Sequence, residues 1–329
     1  MTPLQRDCPK IELHVHVEGT ARPPTLGRIA TRNGLDVPPR RPFTDLYEFI
    51  ASYSEVAARL REPRDYRDLI LAYAAEAATG GAVYIEAIVC ATDERMGGAA
   101  GWADILAVSC DAADEASERF DLEFNLTPEV YRGCDPEFAT AATKAVTAID
   151  HPRIVGFGLS GFEGREPATP YLNAARIAVD AGLGFVPHAG EAAGPPSIRE
   201  VLALRPPRIR HGVRAIEDPE LVAELAETGT VLDVTLTSNL LLGVTTDLAS
   251  HPLPLLRNAG VACSISTDDP ALFDTDLPRE YDLAATLGTT PPEAFAAGLS
   301  GALCSAAVKA RLASISRAAF RRGSEPSER

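Results

Sequence analysis

Short runs of β-branched residues alternate along the chain with longer segments rich in Ala, Leu, Glu and Arg. This alternation is typical of β–α units, in which each strand of a parallel sheet is followed by a helix. The pattern predicts eight strands, which begin near Lys10, Ala82, Asp121, Arg153, Gly184, Arg208, Thr230 and Val261. Eight strands with intervening helices favour a closed barrel over an open doubly wound sheet. We therefore predict an α/β fold of the (β/α)₈ TIM-barrel type in a single domain.

Several helices carry signals at their starts. Asp218-Pro219-Glu220 supplies an N-cap, a first-turn proline and a first-turn acid. Residues 197–200 and 290–293 each match a capping box, in which a hydroxyl and a carboxylate satisfy backbone N–H groups reciprocally. These signals support helices between the predicted strands.

Two regions depart from the regular spacing. The interval between the first and second strands contains helical patterns over residues 45–60 and 64–79, and we expect this helical insertion to roof an active site. Periodicity is lost after residue 318, which predicts a flexible C-terminal tail over 319–329. The barrel itself is predicted over residues 1–318.

Composition limits the partners and the location of the protein. The chain has 46 acidic and 31 basic residues, a net charge of −15 that repels nucleic-acid phosphates and anionic membrane surfaces. No segment reaches the roughly 20 apolar residues that a membrane span needs. Residues 1–10 contain no apolar run of signal-peptide length. We expect a cytoplasmic protein that acts on a small molecule and binds neither nucleic acid nor a membrane.

Two common kinds of site are not indicated. The six cysteines lack Cys-x-x-Cys spacing, which argues against a cysteine zinc site and is consistent with reduced thiols in the core. No Gly-x-Gly-x-x-Gly follows the first strand and no Walker-type motif occurs, so a nucleotide-phosphate site is not predicted.

Histidines and acids instead occur at predicted strand ends. His14 and His16 alternate with apolar residues in the first strand and therefore point the same way, into the barrel mouth. Taken alone, this His-x-His is compatible with a chance pair as well as with a metal site. The glycine at position 19 is expected to let the chain turn away.

The same end of the barrel collects more such residues. The fifth strand ends in His188 and is followed by Glu191, the sixth ends in His211, and the eighth ends in Asp268 and Asp269. Catalytic residues of barrels come from the C-terminal ends of their strands, so these residues are expected to cluster. The remaining histidines, His151 and His251, each precede a proline and are predicted to be structural.

The candidate ligands suit a single metal ion. Three histidines and an aspartate form a nitrogen–oxygen set that fits zinc with room for an activated water, although iron and cobalt accept the same ligands. Related two-metal barrels place a bridging lysine at the end of the fourth strand. Residues 158–162 contain no lysine, so one Zn²⁺ is predicted.

These blocks resemble the adenosine deaminase family of the amidohydrolase superfamily. The resemblance extends in order from residue 9 to about residue 281 and rests on residues 9–16, His188-Ala189-Gly190-Glu191, Ser238-Asn239, His211-Gly212 and 266–270. It implies that His14, His16, His188 and Asp268 bind zinc. It also implies that His211 helps to deprotonate and hold the attacking water, and that Glu191 protonates the purine ring. Asp269 and the Gly161 backbone N–H would bind the base.

Three positions depart from the family pattern. The family usually has aspartate, which contacts the ribose 5′ hydroxyl, where this chain has Glu18. It usually has aspartate at the position of Phe162 and glycine at the position of Arg210. The expected reaction is therefore deamination of adenosine or 2′-deoxyadenosine, or of a 5′-modified nucleoside such as 6-aminodeoxyfutalosine, which Glu18 favours.

Two other hypotheses compete with this one. The chain could be a zinc barrel hydrolase that acts on free adenine, a pterin or a cyclic amide. It could also be a binding protein on a catalytically dead scaffold, although every expected ligand and the expected acid are present.

Overall fold

A computed structural model describes residues 8–90 and 98–320 and contains the predicted barrel. All neighbouring strands pair in parallel. The strands are β1 Lys10–His16, β2 Ala82–Ile88, β3 Glu123–Leu126, β4 Glu129–Arg132, β5 Gly156–Gly161, β6 Gly184–Ala189, β7 Arg208–His211, β8 Val231–Val234 and β9 Cys263–Ile265.

Helices surround these strands and fill the connections. They are α1 Pro23–Arg32, α2 Leu46–Ala57, α3 Pro63–Thr79, α4 Gly98–Phe120, α5 Pro136–Ile149, α6 Leu172–Asp180, α7 Pro195–Leu202, α8 Pro219–Thr228, α9 Leu236–Leu241, α10 Leu253–Asn258, α11 Leu277–Thr286, α12 Pro291–Gly301 and α13 Ala306–Phe320. Within the described residues, none of these helices combines the length and the apolar character that a bilayer span requires.

The third barrel strand is divided into β3 and β4. Pro128 lies between them and has no N–H to donate, which interrupts the hydrogen-bond ladder. The flanking residues keep the strand in place. The Thr127 N–H donates to the Ala87 carbonyl at 2.8 Å, and the Glu129 N–H donates to the Val89 carbonyl at 3.0 Å. The two halves therefore act as one of the eight barrel strands that the sequence predicts.

Backbone hydrogen bonds close the barrel between its first and last strands. The His16 N–H donates to the Asp268 carbonyl at 2.8 Å, and the Asp268 N–H donates to the His14 carbonyl at 3.0 Å. Three of the predicted metal ligands are thus fixed by the same backbone contact that completes the fold.

The capping signals have mixed outcomes. Asp218 caps α8 and the 290–293 capping box starts α12, as predicted. The capping box over 197–200 is wrong, because α7 begins at Pro195 after an N-cap glycine. The Ser197 hydroxyl instead donates to Glu163 at 2.5 Å, so a tertiary contact replaces the local one.

The predicted insertion is present and longer than its two helical patterns. It contains α2 and α3, as expected, and also α1, which the sequence reading did not include. At the other end, α13 continues to Phe320, whose ring packs 5.9 Å from that of Phe295. Residues 319 and 320, which the sequence assigned to the tail, are therefore helical, and residues 321–329 lie outside the described part of the chain.

Candidate active site

The four predicted metal ligands converge at the barrel mouth. The His188 Nε2 lies 3.1 Å from the His14 Nε2 and 3.2 Å from the His16 Nε2. The Asp268 Oδ1 lies 3.2 Å from the His14 Nε2 and 3.4 Å from the His16 Nε2. All four side chains are buried, so their donor atoms surround one point inside the protein.

This donor set fits one zinc-sized metal ion. Zn–N bonds of about 2.0–2.1 Å place ligand atoms roughly 3.3 Å apart, which agrees with the observed spacings. Burial lowers the pKa values of His16 and His188 well below their ordinary range and so favours the neutral imidazoles that metals bind. The His188 Nδ1 lies 3.2 Å from the Leu159 carbonyl, an acceptor that holds the ring proton there and leaves the Nε2 lone pair for an ion.

Backbone strain occurs at two site residues. His211 and Asp268 have φ angles of 59° and 66°, in the left-handed region that residues other than glycine rarely enter. Such conformations are held by surrounding structure and often mark functional sites. Here they turn both side chains from strand ends towards the cluster.

Glu191 and His211 lie beside the metal ligands. The Glu191 Oε2 is 3.5 Å from the His211 Nε2, and that nitrogen is 3.9 Å from the Asp268 Oδ2. Burial raises the pKa of Glu191 well above its ordinary range, and the nearby charges of Asp268 and Glu163 add to this effect. A raised pKa favours the protonated carboxyl, which is the form that can donate a proton.

Glu163 organises the loop that carries Glu191, a role that sequence reasoning missed. Its carboxylate is buried and accepts hydrogen bonds from five donors. These are the backbone N–H groups of Gly190, Glu191, Ala192 and Ala193 and the hydroxyl of Ser197. The available signal was an acid two residues after Gly161, at the end of a barrel strand.

A chain of polar groups orients His211 from behind. The Leu253 N–H donates to the His251 Nδ1 at 3.1 Å, so the neutral His251 ring carries its proton on Nε2, which lies 3.1 Å from the Asn239 Oδ1. The Asn239 Nδ2 can then donate to the His211 Nδ1 at 3.3 Å, and the Thr235 hydroxyl, 3.1 Å from the same nitrogen, can donate to it as well. This order leaves the His211 proton on Nε2, facing Glu191. His151 lies elsewhere, 3.6 Å from Asp114.

A cavity of about 240 Å³ opens onto the cluster. Helix α2, part of the predicted insertion, forms one wall through apolar side chains that include Phe49 and Ile50. The described side chains that line the cavity include no lysine or arginine, and they include five acids, Glu18, Glu129, Glu191, Asp268 and Asp269. The cavity is therefore acidic at the metal site and apolar beneath the insertion.

Glu18 and Asp269, two predicted substrate contacts, both line this cavity. The Glu18 Oε1 accepts the Cys90 N–H at 3.1 Å, and burial raises the pKa of Glu18 to about 7. Burial also raises the pKa of Asp269 well above its ordinary range. A Cβ on Gly19 would overlap the Asp269 carboxylate. Gly19 is therefore required for close packing against Asp269.

Gly161 and Phe162 form another wall. Gly161 has a φ of 89°, and a Cβ there would lie 2.6 Å from the Arg132 carbonyl oxygen, so no other residue fits without a shift. Phe162 stacks on Tyr47 of α2, with ring centroids 6.3 Å apart and planes 14° apart. The position that carries aspartate in the family pattern is here part of an aromatic surface between the barrel and the insertion.

Comparisons with known proteins agree with this geometry. A sequence model of the adenosine deaminase family matches residues 9–316. An aminodeoxyfutalosine deaminase from Acidothermus cellulolyticus is 44% identical over 93% of this chain and 90% of its own length. An adenine deaminase from Agrobacterium fabrum is 40% identical over 84% of this chain and 86% of its own.

A solved structure shows the same fold. The crystal structure of an adenine deaminase from Arthrobacter aurescens superposes with a TM-score of 0.87 and 28% identity, and the match covers 95% of this chain and 99% of that one. The chain therefore belongs to the adenosine deaminase family and is a metal-dependent hydrolytic deaminase.

Proposed function

We propose that the chain is a zinc hydrolase that replaces the 6-amino group of an adenine nucleoside with oxygen and releases ammonia. The observation that carries the proposal is the convergence of His14, His16, His188 and Asp268 beside the buried Glu191 in one cavity. Those four residues would hold the ion. Its contribution would be activation of a water, whose pKa falls from 15.7 to about 7 on zinc.

Glu191 would act as the general acid. An aromatic amine is a poor leaving group, so addition of water at C6 needs a proton on the adjacent ring nitrogen to avoid charge on the purine. The buried carboxyl can supply that proton because its raised pKa favours the protonated form. Ammonia then leaves from the tetrahedral adduct, and the net reaction consumes one water for each amine released.

His211 would hold the attacking oxygen. The chain from Leu253 through His251 and Asn239 places the His211 proton on Nε2, between Glu191 and Asp268. Burial lowers the pKa of His211 to about 3, so the ring stays neutral. The arrangement supports donation of a hydrogen bond to that oxygen more directly than removal of its proton.

Asp269 and the Gly161 N–H are proposed to bind the purine, and Glu18 the ribose side. Asp269 has a raised pKa and one carboxyl oxygen without a hydrogen bond to the described protein, so it can meet a ring nitrogen as donor or acceptor. The Glu18 Oε2 is similarly without a hydrogen-bond partner in the described chain. Both groups are buried, so a substrate would complete their hydrogen bonding.

A 5′-modified nucleoside, for which 6-aminodeoxyfutalosine is the model, is the proposed substrate. Glu18 is one methylene longer than the aspartate of the family pattern, and Phe162 adds aromatic surface to the wall. The relative with 44% identity is an aminodeoxyfutalosine deaminase. The described lining offers no lysine or arginine to bind a phosphate, so a nucleoside is preferred to a nucleotide.

Free adenine is the second candidate, because a relative with 40% identity is an adenine deaminase. Loss of the 6-amino chromophore should be followed in the ultraviolet with 6-aminodeoxyfutalosine, adenosine, adenine and AMP at equal enzyme concentration. We expect kcat/KM for 6-aminodeoxyfutalosine to exceed that for adenosine by about a hundredfold, about 2.7 kcal/mol of transition-state binding. A hundredfold preference for adenosine, or for adenine, would replace the proposed substrate.

A matched variant tests the role of Glu18 in that preference. Glu18→Asp restores the shorter carboxylate of the family pattern at a buried position. We expect it to shift the kcat/KM ratio towards adenosine by about tenfold, or about 1.4 kcal/mol. An unchanged ratio would remove Glu18 from the substrate-binding residues and leave the deaminase chemistry intact.

A further inference from the structure

A buried ion pair lies next to the histidine cluster and has no role in the chemistry described above. The Arg210 Nη1 donates to the Glu129 Oε2 at 2.6 Å, and the Arg210 Nη2 donates to the Thr127 hydroxyl at 2.7 Å. Arg210 and Glu129 have no exposed surface. Gly158 makes room for them, since a Cβ there would overlap the guanidinium. The pair is therefore built into the barrel interior.

The carboxylate of this pair faces two of the metal-site histidines from behind. The Glu129 Oε1 lies 3.7 Å from the His16 Nδ1, and the Glu129 Oε2 lies 3.6 Å from the His188 Nδ1. The His188 Nδ1 already has the Leu159 carbonyl at 3.2 Å. The His16 Nδ1 and the Glu129 Oε1 have no hydrogen-bond partner in the part of the chain that the structure describes.

These two unpartnered atoms are chemically complementary. An imidazole that presents the Nε2 lone pair to an ion carries its proton on Nδ1, and that N–H usually donates to a carboxylate or carbonyl. Of the polar atoms near the His16 Nδ1, the Glu129 Oε1 is the acceptor that the geometry provides, and a small movement would bring it within hydrogen-bond distance. Arg210 fixes the other oxygen of the same carboxylate and so holds Glu129 in place.

We propose that Glu129, held by Arg210, is a positioning residue that orients His16, and to a lesser degree His188, for the metal ion. The inference rests on the metal site proposed above. Arg210 stands where the family pattern has glycine, and in this proposal its role is to hold Glu129. Glu129 does not touch the reacting atoms in this proposal and acts through the histidine rings.

The chain contains a matched control for this pair. The Arg208 Nη1 donates to the Glu86 Oε2 at 2.6 Å, and Arg208 and Glu86 are also fully buried. Arg208 precedes Arg210 by two residues on β7. Glu86 otherwise accepts from the Tyr84 hydroxyl and the Leu303 N–H, and its hydrogen bonds in the described residues include no histidine. The Arg208 Nε also donates to the Asp233 Oδ2 at 3.0 Å, so loss of the Glu86 charge removes one buried carboxylate away from the metal site and leaves the arginine with a second one.

The experiment compares Glu129→Gln with Glu86→Gln in the full chain loaded with Zn²⁺ or Co²⁺. The rate of metal loss to excess chelator and the visible spectrum of the Co²⁺ protein are measured beside deaminase activity. We expect Glu129→Gln to lose metal about 10–100-fold faster than wild type and to change the Co²⁺ spectrum. Glu86→Gln should match wild type in both. The proposal would be overturned if Glu129→Gln lost metal no faster than wild type. It would also be overturned if Glu86→Gln lost metal as fast as Glu129→Gln.

A second variant tests the proposal even if Glu129→Gln fails to fold. Glu129→Leu combined with Arg210→Met removes both charges, and replacement of a buried pair by apolar residues is tolerated better than removal of one partner. The double variant should also lose metal faster than wild type, and metal retention like that of wild type would overturn the inference. Wild type that binds no ion would refute the proposed metal site as well. If wild type binds an ion and deaminates, and Glu129→Gln retains the ion as well as wild type does, only the positioning role is refuted.

Discussion

His251 should make the stability of the folded protein depend on pH. Its ring is buried, and burial lowers its pKa from 6.5 to about 4. The geometry explains why a second proton is disfavoured. The His251 Nδ1 accepts the Leu253 N–H, so a proton on that nitrogen would face another N–H and remove the hydrogen bond that starts α10.

The expected magnitude follows from the two pKa values. Between pH 6.5 and 4 the unfolded chain binds a proton at this position and the folded chain does not. The contribution of His251 to the free energy of unfolding is therefore complete above pH 6.5 and declines as the pH falls. The full loss is about 3 kcal/mol, at 1.36 kcal/mol per pKa unit, and about 2 kcal/mol of it falls between pH 7 and pH 5.

The perturbation is His251→Asn, which keeps an acceptor for the Leu253 N–H but does not titrate in this range. Urea unfolding of the metal-loaded protein should be measured at pH 7 and pH 5, with His151→Asn as the control for loss of a half-exposed imidazole. The difference in unfolding free energy between wild type and His251→Asn should shrink by about 2 kcal/mol at pH 5, because other titrations cancel. A difference that stays constant between the two pH values would show that the folded protein does not disfavour protonation of His251.

The remaining predictions concern the reaction. Glu191→Gln should retain its metal and lose about 10²–10⁴-fold in kcat. Wild-type kcat should fall as the pH rises through the raised pKa of Glu191. Near-normal turnover of Glu191→Gln in a steady-state assay would rule out its role as the general acid. Asp268→Ala should lower the metal content measured by elemental analysis, and stoichiometric metal in that variant would disprove the ligand assignment. Glu163→Gln should lower kcat with metal content unchanged, because an amide cannot accept all five hydrogen bonds that position the Glu191 loop; wild-type kcat would contradict that role.

The barrel was predictable because its signals are local. Strand alternation placed His14 and His16 on one side of β1, and the rule that barrel active sites lie at strand ends joined them to His188 and Asp268. In the structure these four side chains lie together. The division of the third strand was less visible, although Pro128 supplied the physical reason for the break in the ladder.

The supporting residues were not predictable, because their partners are distant in sequence. Glu163 binds a loop 27 to 30 residues away, and Arg210 meets Glu129 across 81 residues. The Glu163 contact also explains why the capping box at Ser197 failed, since the hydroxyl had a stronger buried acceptor. Side-chain networks of this kind depend on how the strands close into a barrel, which local patterns do not specify.

We propose that one metal ion, held by His14, His16, His188 and Asp268, supports deamination. The most direct measurement is to strip the purified chain of metal, titrate it with Zn²⁺ and follow loss of the 6-amino chromophore of 6-aminodeoxyfutalosine or adenosine. We predict no turnover without metal and a linear rise in activity that ends at one equivalent per chain. Full turnover by the stripped protein, or a rise that continues to two equivalents, would contradict this proposal.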